Sequence, residues 1–208
     1  TLVSSTSGAV TIEDAADTDI SGTTGNLTVS DADALTLAGT VTGNLLVSAA
    51  TSVADSATLA VTGTTTIDTS VANGSIALDE DANNLAGTVT VTSGSGAITL
   101  DNAGNGLDVS STSSGALTVE NAGALTIAGT MGSFTVTNAT SVNDSATVTV
   151  TGTTTIDTSA GNGAVTLDDD SNNLGGTVTV STGSGNITLD NDTNALGVVS
   201  ATTGSLTI

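Results

Sequence analysis

The chain has 208 residues with 21 Asp and Glu, no Lys, Arg or His, and a formal charge of −21. This charge excludes nucleic acid and anionic membrane surfaces as direct partners, because proteins bind both through Lys and Arg. Side-chain salt bridges are excluded as well, so water, backbone N–H groups or a bound cation must satisfy every carboxylate. No apolar run approaches the ~20 residues of a membrane-spanning helix, so we expect no direct membrane insertion.

A tandem repeat organises the chain. Residues 51–70 match residues 140–159 at 17 of 20 positions. They belong to copies of a longer unit at 25–114 and 115–203, with a partial copy at 1–24 and the start of another at 204–208. A fixed period of this kind is typical of a solenoid, in which one structural unit is stacked. We therefore expect residues 1–208 to form one solenoid segment cut from a longer array.

A shorter motif, Gly-x-φ-x-φ with φ apolar, recurs within each unit. Its two φ side chains point to the same side of a strand, and the middle residue points outward. Stacked coils would place the first φ residues in one core row and their strands in one continuous sheet, with four irregular coils per unit. That row comprises Val10, Leu27, Leu45, Ile76, Ile98, Leu117, Phe134, Val165, Ile187 and Leu206.

Most coils contain a second apolar strand separated from the first by Gly, Asn, Asp and Ser turns. Examples are residues 35–37, 107–109, 125–127 and 177–180. The longest steps carry an additional Thr-rich segment, at 64–67 and 153–156, which we expect to be a bulged strand or a projecting hairpin. Short β-branched strands in coils of about 20 residues predict an all-β, right-handed parallel β-helix (β-solenoid) with essentially no helix. Each coil should lengthen the body by about 4.8 Å.

Acidic residues recur immediately after the second φ. Asp79, Asp101 and Glu120 would stack on three successive coils, and Asp168 and Asp190 would form a second acidic ladder. Oxygen-only ligands in turns suit Ca²⁺, which takes 6 to 8 of them. The candidate calcium ligands are Asp79, Glu80, Asp81, Asp101, Glu120, Asp168, Asp169, Asp170, Asp190 and Asp192. The alternative is that they are solvated turn residues, since Asp favours turns for backbone reasons alone.

Catalysis is not expected. Without His, Cys, Lys, Arg or Tyr, the chain cannot build a conventional pair of nucleophile and base. Two carboxylates can hydrolyse a glycoside, but such a site needs individual residues, whereas these acids recur in both copies. We therefore predict no enzyme activity, no catalytic residues and no cofactor besides the candidate Ca²⁺.

Motifs such as Gly96-Ala97-Ile98-Thr99-Leu100, in coils rich in Thr, Val, Gly, Asn and Ser, resemble the repeats of filamentous-haemagglutinin-like and other giant bacterial β-strand-repeat adhesins. The resemblance covers the whole chain. It implies an extracellular, cell-surface stalk or filament whose partners are its own repeats and a host or neighbouring cell surface.

Two alternatives remain open. One is a binding module whose outward Thr face engages ice or glycan; the middle position of the motif is Thr at Thr11, Thr28, Thr99, Thr118, Thr135, Thr166, Thr188 and Thr207. The other is a subunit that polymerises end to end, because exposed strand edges are templates for pairing.

Overall fold

The computed structural model describes residues 2–5 and 7–208, which contain strands, turns and bends but no helix. The all-β prediction is confirmed. The strands are β1 (Leu2–Ser5), β2 (Val10–Ile12), β3 (Thr18–Thr24), β4 (Leu27–Val29), β5 (Ala32–Val41), β6 (Leu45–Val47), β7 (Ala50–Val61), β8 (Thr65–Asp68), β9 (Ile76–Leu78), β10 (Asn84–Leu85), β11 (Thr88–Gly94), β12 (Ile98–Leu100), β13 (Leu107–Ser113), β14 (Ala116–Met131), β15 (Ser133–Val150), β16 (Thr154–Asp157), β17 (Val165–Leu167), β18 (Asn173–Leu174), β19 (Thr177–Gly183), β20 (Ile187–Leu189), β21 (Gly197–Thr202) and β22 (Leu206–Thr207).

The strands pair in parallel and build a β-solenoid of about 10 turns, with coils of about 19 residues. The chain alternates between two ladders of paired strands. Ladder A contains β2, β4, β6, β8, β11, β13, the C-terminal halves of β14 and β15, β17, β18, β20 and β22. Ladder B contains β1, β3, β5, β7, β9, β10, β12, the N-terminal halves of β14 and β15, β16, β19 and β21. The second strand predicted for most coils is confirmed by this alternation.

The prediction that the first φ residues of all motif strands stack in one core row is wrong, although the long strands β14 and β15 run through both ladders and all 22 strands belong to one sheet. Val10, Leu27 and Leu45 stack on ladder A, but the next partner of Leu45 is Thr65, not Ile76. Ile76 instead pairs with Val53 below it and Ile98 above it on ladder B. The motif's spacing gives only the number of residues between similar strands. The ladder that a strand joins depends on how many times the chain crosses from one ladder to the other between the two.

This alternation gives each 90-residue repeat four and a half coils rather than the four predicted. Leu27 and Leu117 occupy equivalent positions in the two copies, yet Leu27 pairs with Leu45 on ladder A and Leu117 pairs with Ile98 on ladder B. The same exchange relates Thr65 to Thr154. Along each repeat the chain crosses from one ladder to the other an odd number of times, so equivalent strands of successive copies must lie on opposite ladders. Equivalent surface features of successive copies are therefore half a coil apart around the solenoid.

The Thr-rich segments are neither bulges nor projecting hairpins. Residues 65–68 form β8, an ordinary parallel strand between β6 and β11, and residues 154–157 form β16 between β15 and β19. Thr65 and Thr154 consequently lie in the core rows, each with about 1% of its surface exposed. A hydroxyl in an aliphatic row is a conflict that the sequence pattern did not reveal.

Aliphatic side chains from both ladders fill the core, together with the single aromatic residue, Phe134, which is fully buried. Successive coils approach closely at their corners. A Cβ added to Gly74 would lie 1.7 Å from the carbonyl oxygen of Thr51, so any other residue would push these two coils apart. The glycine that opens this motif is required for coil-to-coil contact as well as for the turn.

Candidate functional site

The acidic residues that follow the second φ stack as predicted. On ladder B, Leu100 pairs with Leu78 on one side and Val119 on the other, which places Asp79, Asp101 and Glu120 at the same corner of three successive coils. On ladder A, Leu167 pairs with Leu189 and brings Asp168 and Asp190 to successive coils. The two acidic corners therefore lie on different ladders, as the half-coil offset requires.

The first corner gathers a residue that the sequence analysis missed. Asp55 accepts hydrogen bonds from the backbone N–H of Asp79 at 3.2 Å and of Glu80 at 3.4 Å. The side-chain amide of Asn83 also donates a hydrogen bond to Asp55 Oδ2. The signal available in the sequence was the match of Asp55 with Asp144 inside the best-conserved stretch of the two copies. Neither residue follows a motif strand, so the spacing rule passed over them.

The second corner repeats this arrangement. Asp144 Oδ2 accepts the N–H of Asp169 at 3.0 Å and the side-chain amide of Asn172 at 2.6 Å. Asp169 in turn accepts the hydroxyl of Thr147 at 3.1 Å. Each corner is therefore organised around one carboxylate that holds the following coil by its backbone.

Asp101 is the most buried acid, with 2% of its surface exposed. Burial raises the pKa of Asp101 above its ordinary value, and the negative charges of Asp81, Asp55 and Asp79 raise it further. The N–H of Ala103, which donates to Asp101 Oδ1 at 2.7 Å, opposes the rise in pKa. Like charges have been brought together here without any cationic side chain to offset them.

Four buried asparagines connect the corners to the core: Asn83, Asn102, Asn172 and Asn191. Asn83 Oδ1 accepts the N–H of Leu59 at 2.7 Å, and Asn102 Oδ1 accepts the N–H of Leu85 at 2.6 Å. The second copy repeats the pattern, with Asn172 accepting from Val148 and Asn191 from Leu174. These amides satisfy backbone donors where the ladder is interrupted by a turn.

Several of the predicted calcium ligands have turn-forming roles. Asp190 accepts the N–H of Asp192 at 2.8 Å, and Asp169 accepts the N–H of Ser171 at 3.0 Å. Glu80, Asp81, Asp168, Asp170 and Asp192 are exposed, and Glu120 is half-buried. Among the described residues, no three acidic side chains are arranged to hold a metal ion. The corners supply negative charge, and calcium binding stays a prediction.

Five outward threonines form a continuous column on ladder B. Thr99, Thr118, Thr135, Thr155 and Thr179 are successive direct neighbours. The remaining predicted threonines lie on ladder A, as the pair Thr11 and Thr28 and as the run Thr166, Thr188 and Thr207. The predicted single Thr face is thus divided between the two ladders, and its longest part is the five-residue column, which we name the threonine column.

One family model matches this pattern of coils. Its description is repeats of unknown function (DUF5649), and it matches residues 24–92, 85–114 and 114–181. The chain belongs to this repeat family. The matched ranges cover the first acidic corner and the threonine column, and they end before Asp190 of the second corner. No curated protein and no solved structure matches the chain. Within the described residues, no helix has the length and apolar character needed to cross a membrane.

Proposed function

We propose that this chain is a structural stalk or filament segment of a long bacterial surface protein, where it separates or displays an adhesive part. The observation that carries the proposal is the unbroken stacking of two ladders from β1 to β22, with one continuous aliphatic core that extends from Val10 to Val198. In such an array each coil contacts only its neighbours, so copies add length without changing the cross-section. A spacer needs this property, and a pocket-bearing enzyme does not.

Extracellular localisation is part of the proposal. The chain has no Lys or Arg and therefore offers no cleavage site to trypsin-like proteases. Its resemblance to filamentous-haemagglutinin-like repeats points to the same place. Antibodies against the segment should label intact source cells, and trypsin treatment of those cells should leave the segment itself uncut. Labelling only after cell lysis would contradict the localisation.

Solution scattering on lengthened variants tests the stalk itself. Adding one further copy of residues 115–203 after residue 203 should increase the maximum dimension by about 22 Å, which is four and a half coils at the strand spacing. The cross-sectional radius should stay unchanged. A wider particle of the same length would mean that copies pack side by side, and the stalk proposal would fail. Growth of the natural protein's length with concentration would instead favour the filament subunit joined end to end.

The threonine column supports a second candidate, a surface that binds ice or glycan. Five Thr hydroxyls and methyls repeat along ladder B at the strand spacing of about 4.8 Å, which gives a regular one-dimensional array. Thermal hysteresis or glycan-array binding by the protein, lost on substitution of Thr118 and Thr135 by Lys, would favour this candidate. Lys at Thr11 and Thr28 on ladder A is the matched control.

A further inference from the structure

Three Asn-Gly dipeptides occur in the chain, at Asn73-Gly74, Asn105-Gly106 and Asn162-Gly163. Such pairs are chemically vulnerable, because glycine leaves its backbone nitrogen sterically free to attack the preceding side-chain amide. The three sites have the same local sequence chemistry but different surroundings in the solenoid. Their relative reactivity is therefore decided by the fold.

At the first site both reacting groups are engaged. The Gly74 N–H donates to the carbonyl oxygen of Thr69 at 3.1 Å, and Asn73 Oδ1 accepts the N–H of Ser95 on the next coil at 3.0 Å. Gly74 is also confined against Thr51, as described above. Attack by the Gly74 nitrogen would require this corner to open.

The third site repeats these contacts in the second copy. The Gly163 N–H donates to the carbonyl oxygen of Thr158 at 3.1 Å, and Asn162 Oδ1 accepts the N–H of Ser184 at 3.1 Å. Two independent copies therefore hold Asn-Gly in the same closed arrangement.

The middle site is different. All three asparagines are exposed, but Gly106 is exposed whereas Gly74 and Gly163 are half-buried. Within residues 7–208 no protein group accepts the Gly106 N–H. The Asn105 side-chain nitrogen, which would leave as ammonia, donates to the carbonyl oxygen of Asn102 at 3.0 Å. Asn105 Oδ1 has no protein donor in this described part of the chain. A Cβ at Gly106 would meet only the carbonyl oxygen of Ala124, at 3.8 Å, so this glycine is not confined between coils.

We propose that Asn105 is a site of spontaneous deamidation in the folded protein, while Asn73 and Asn162 are protected by the coil-to-coil hydrogen bonds. The Gly106 nitrogen loses its proton to solvent base and forms a bond to Asn105 Cγ; the Cγ–Nδ2 bond breaks and ammonia leaves. Water then opens the resulting succinimide at either carbonyl and gives aspartate or isoaspartate. The product adds one negative charge to the turn that contains Asp101, and isoaspartate also lengthens its backbone.

The chain's three Glu residues make the test direct, because cleavage after Glu13, Glu80 and Glu120 puts each Asn-Gly pair in a different fragment, 14–80, 81–120 or 121–208. The folded protein is incubated at mildly alkaline pH, then denatured, cleaved at Glu and analysed by mass spectrometry with an isoaspartate-specific methyltransferase assay. The Gly123 N–H holds the Asn105 carbonyl oxygen at 2.7 Å, but neither the Gly106 nitrogen nor Asn105 Oδ1 must break a hydrogen bond within residues 7–208. We therefore expect deamidation in fragment 81–120 at a rate at least about tenfold above the other two fragments. In guanidinium chloride the three rates should become similar.

Gly106→Ala is the matched variant, because the second copy carries Asn194-Ala195 at the equivalent position and the site has room for a methyl group. It should slow deamidation of fragment 81–120 without changing the other two fragments, and circular dichroism should verify that the fold is unchanged. Equal rates at all three sites in the folded protein, or a fragment 81–120 that stays intact while the denatured control reacts, would overturn the proposal.

Discussion

The side-chain oxygen of Asn83 accepts the backbone N–H of Leu59, 24 residues earlier in the chain, at 2.7 Å in the buried interior. Asn83→Ala should therefore destabilise the protein by about 1–3 kcal/mol, because it leaves a buried donor unsatisfied and removes one partner of Asp55. Chemical denaturation measures the change. Asn84→Ala, at the exposed neighbouring position, is the control and should have little effect. Equal losses for the two variants would contradict the role assigned to Asn83.

The buried hydroxyls of Thr65 and Thr154 have no hydrogen-bond partner among the described residues. Thr65→Val and Thr154→Val should each stabilise the protein by roughly 1–2 kcal/mol, because the methyl group removes the cost of burying an unpaired hydroxyl. Thr66→Val, on the outward side of the same strand, should change the stability much less. Thermal unfolding midpoints measure both effects. A lower midpoint for the two buried variants would mean that the hydroxyls are satisfied by water.

Asp101 should make stability depend on pH. Because its folded pKa is raised, the folded state holds a proton that the unfolded state releases, so the free energy of unfolding falls as pH rises from about 4 through the raised pKa. Asp101→Asn keeps the acceptor for the Ala103 N–H and should be more stable than the natural protein at neutral pH. The difference should vanish below about pH 4. Denaturation at several pH values measures this, and a pH-independent difference would contradict it.

Asp190→Asn is the comparison for that experiment. Asp190 is the repeat equivalent of Asp101 and also accepts an N–H two residues on, but its side chain is only half-buried. We expect a smaller gain at neutral pH from this variant. A gain equal to that of Asp101→Asn would show that general repulsion among the 21 carboxylates, rather than burial, controls the effect.

Calcium should raise the melting temperature well beyond the rise produced by NaCl of equal ionic strength. The physical reason is that a cation bound near the stacked Asp79 and Asp101 would offset like charges at this corner and stabilise the folded state by mass action. Alanine at both Asp79 and Asp101 should remove much of the difference. Equal effects of the two salts would leave only general screening and would refute calcium binding at this corner.

Sequence patterning predicted the local elements well. The alternation in Ile98-Thr99-Leu100 predicts a strand with one buried face, and the structure has this strand with Thr99 outward and its neighbours in the core. The alignment of Asp79 with Asp101 followed from the same pattern. The contribution of Asp55 could not be found in this way, because its contact with Asp79 joins residues 24 positions apart on coils of unequal length.

The sequence by itself determined the parallel solenoid, the aliphatic core and the tandem repeat, because alternation, β-branching and periodicity are local properties of the chain. Only the tertiary structure decided which ladder each strand joins. A Gly-x-φ-x-φ segment fits either ladder equally well, so Leu45 could pair with Ile76 or with Thr65 on pattern alone. Coil closure and the stacking of the whole core selected Thr65. That choice places a threonine in the core and sets successive repeats half a coil apart.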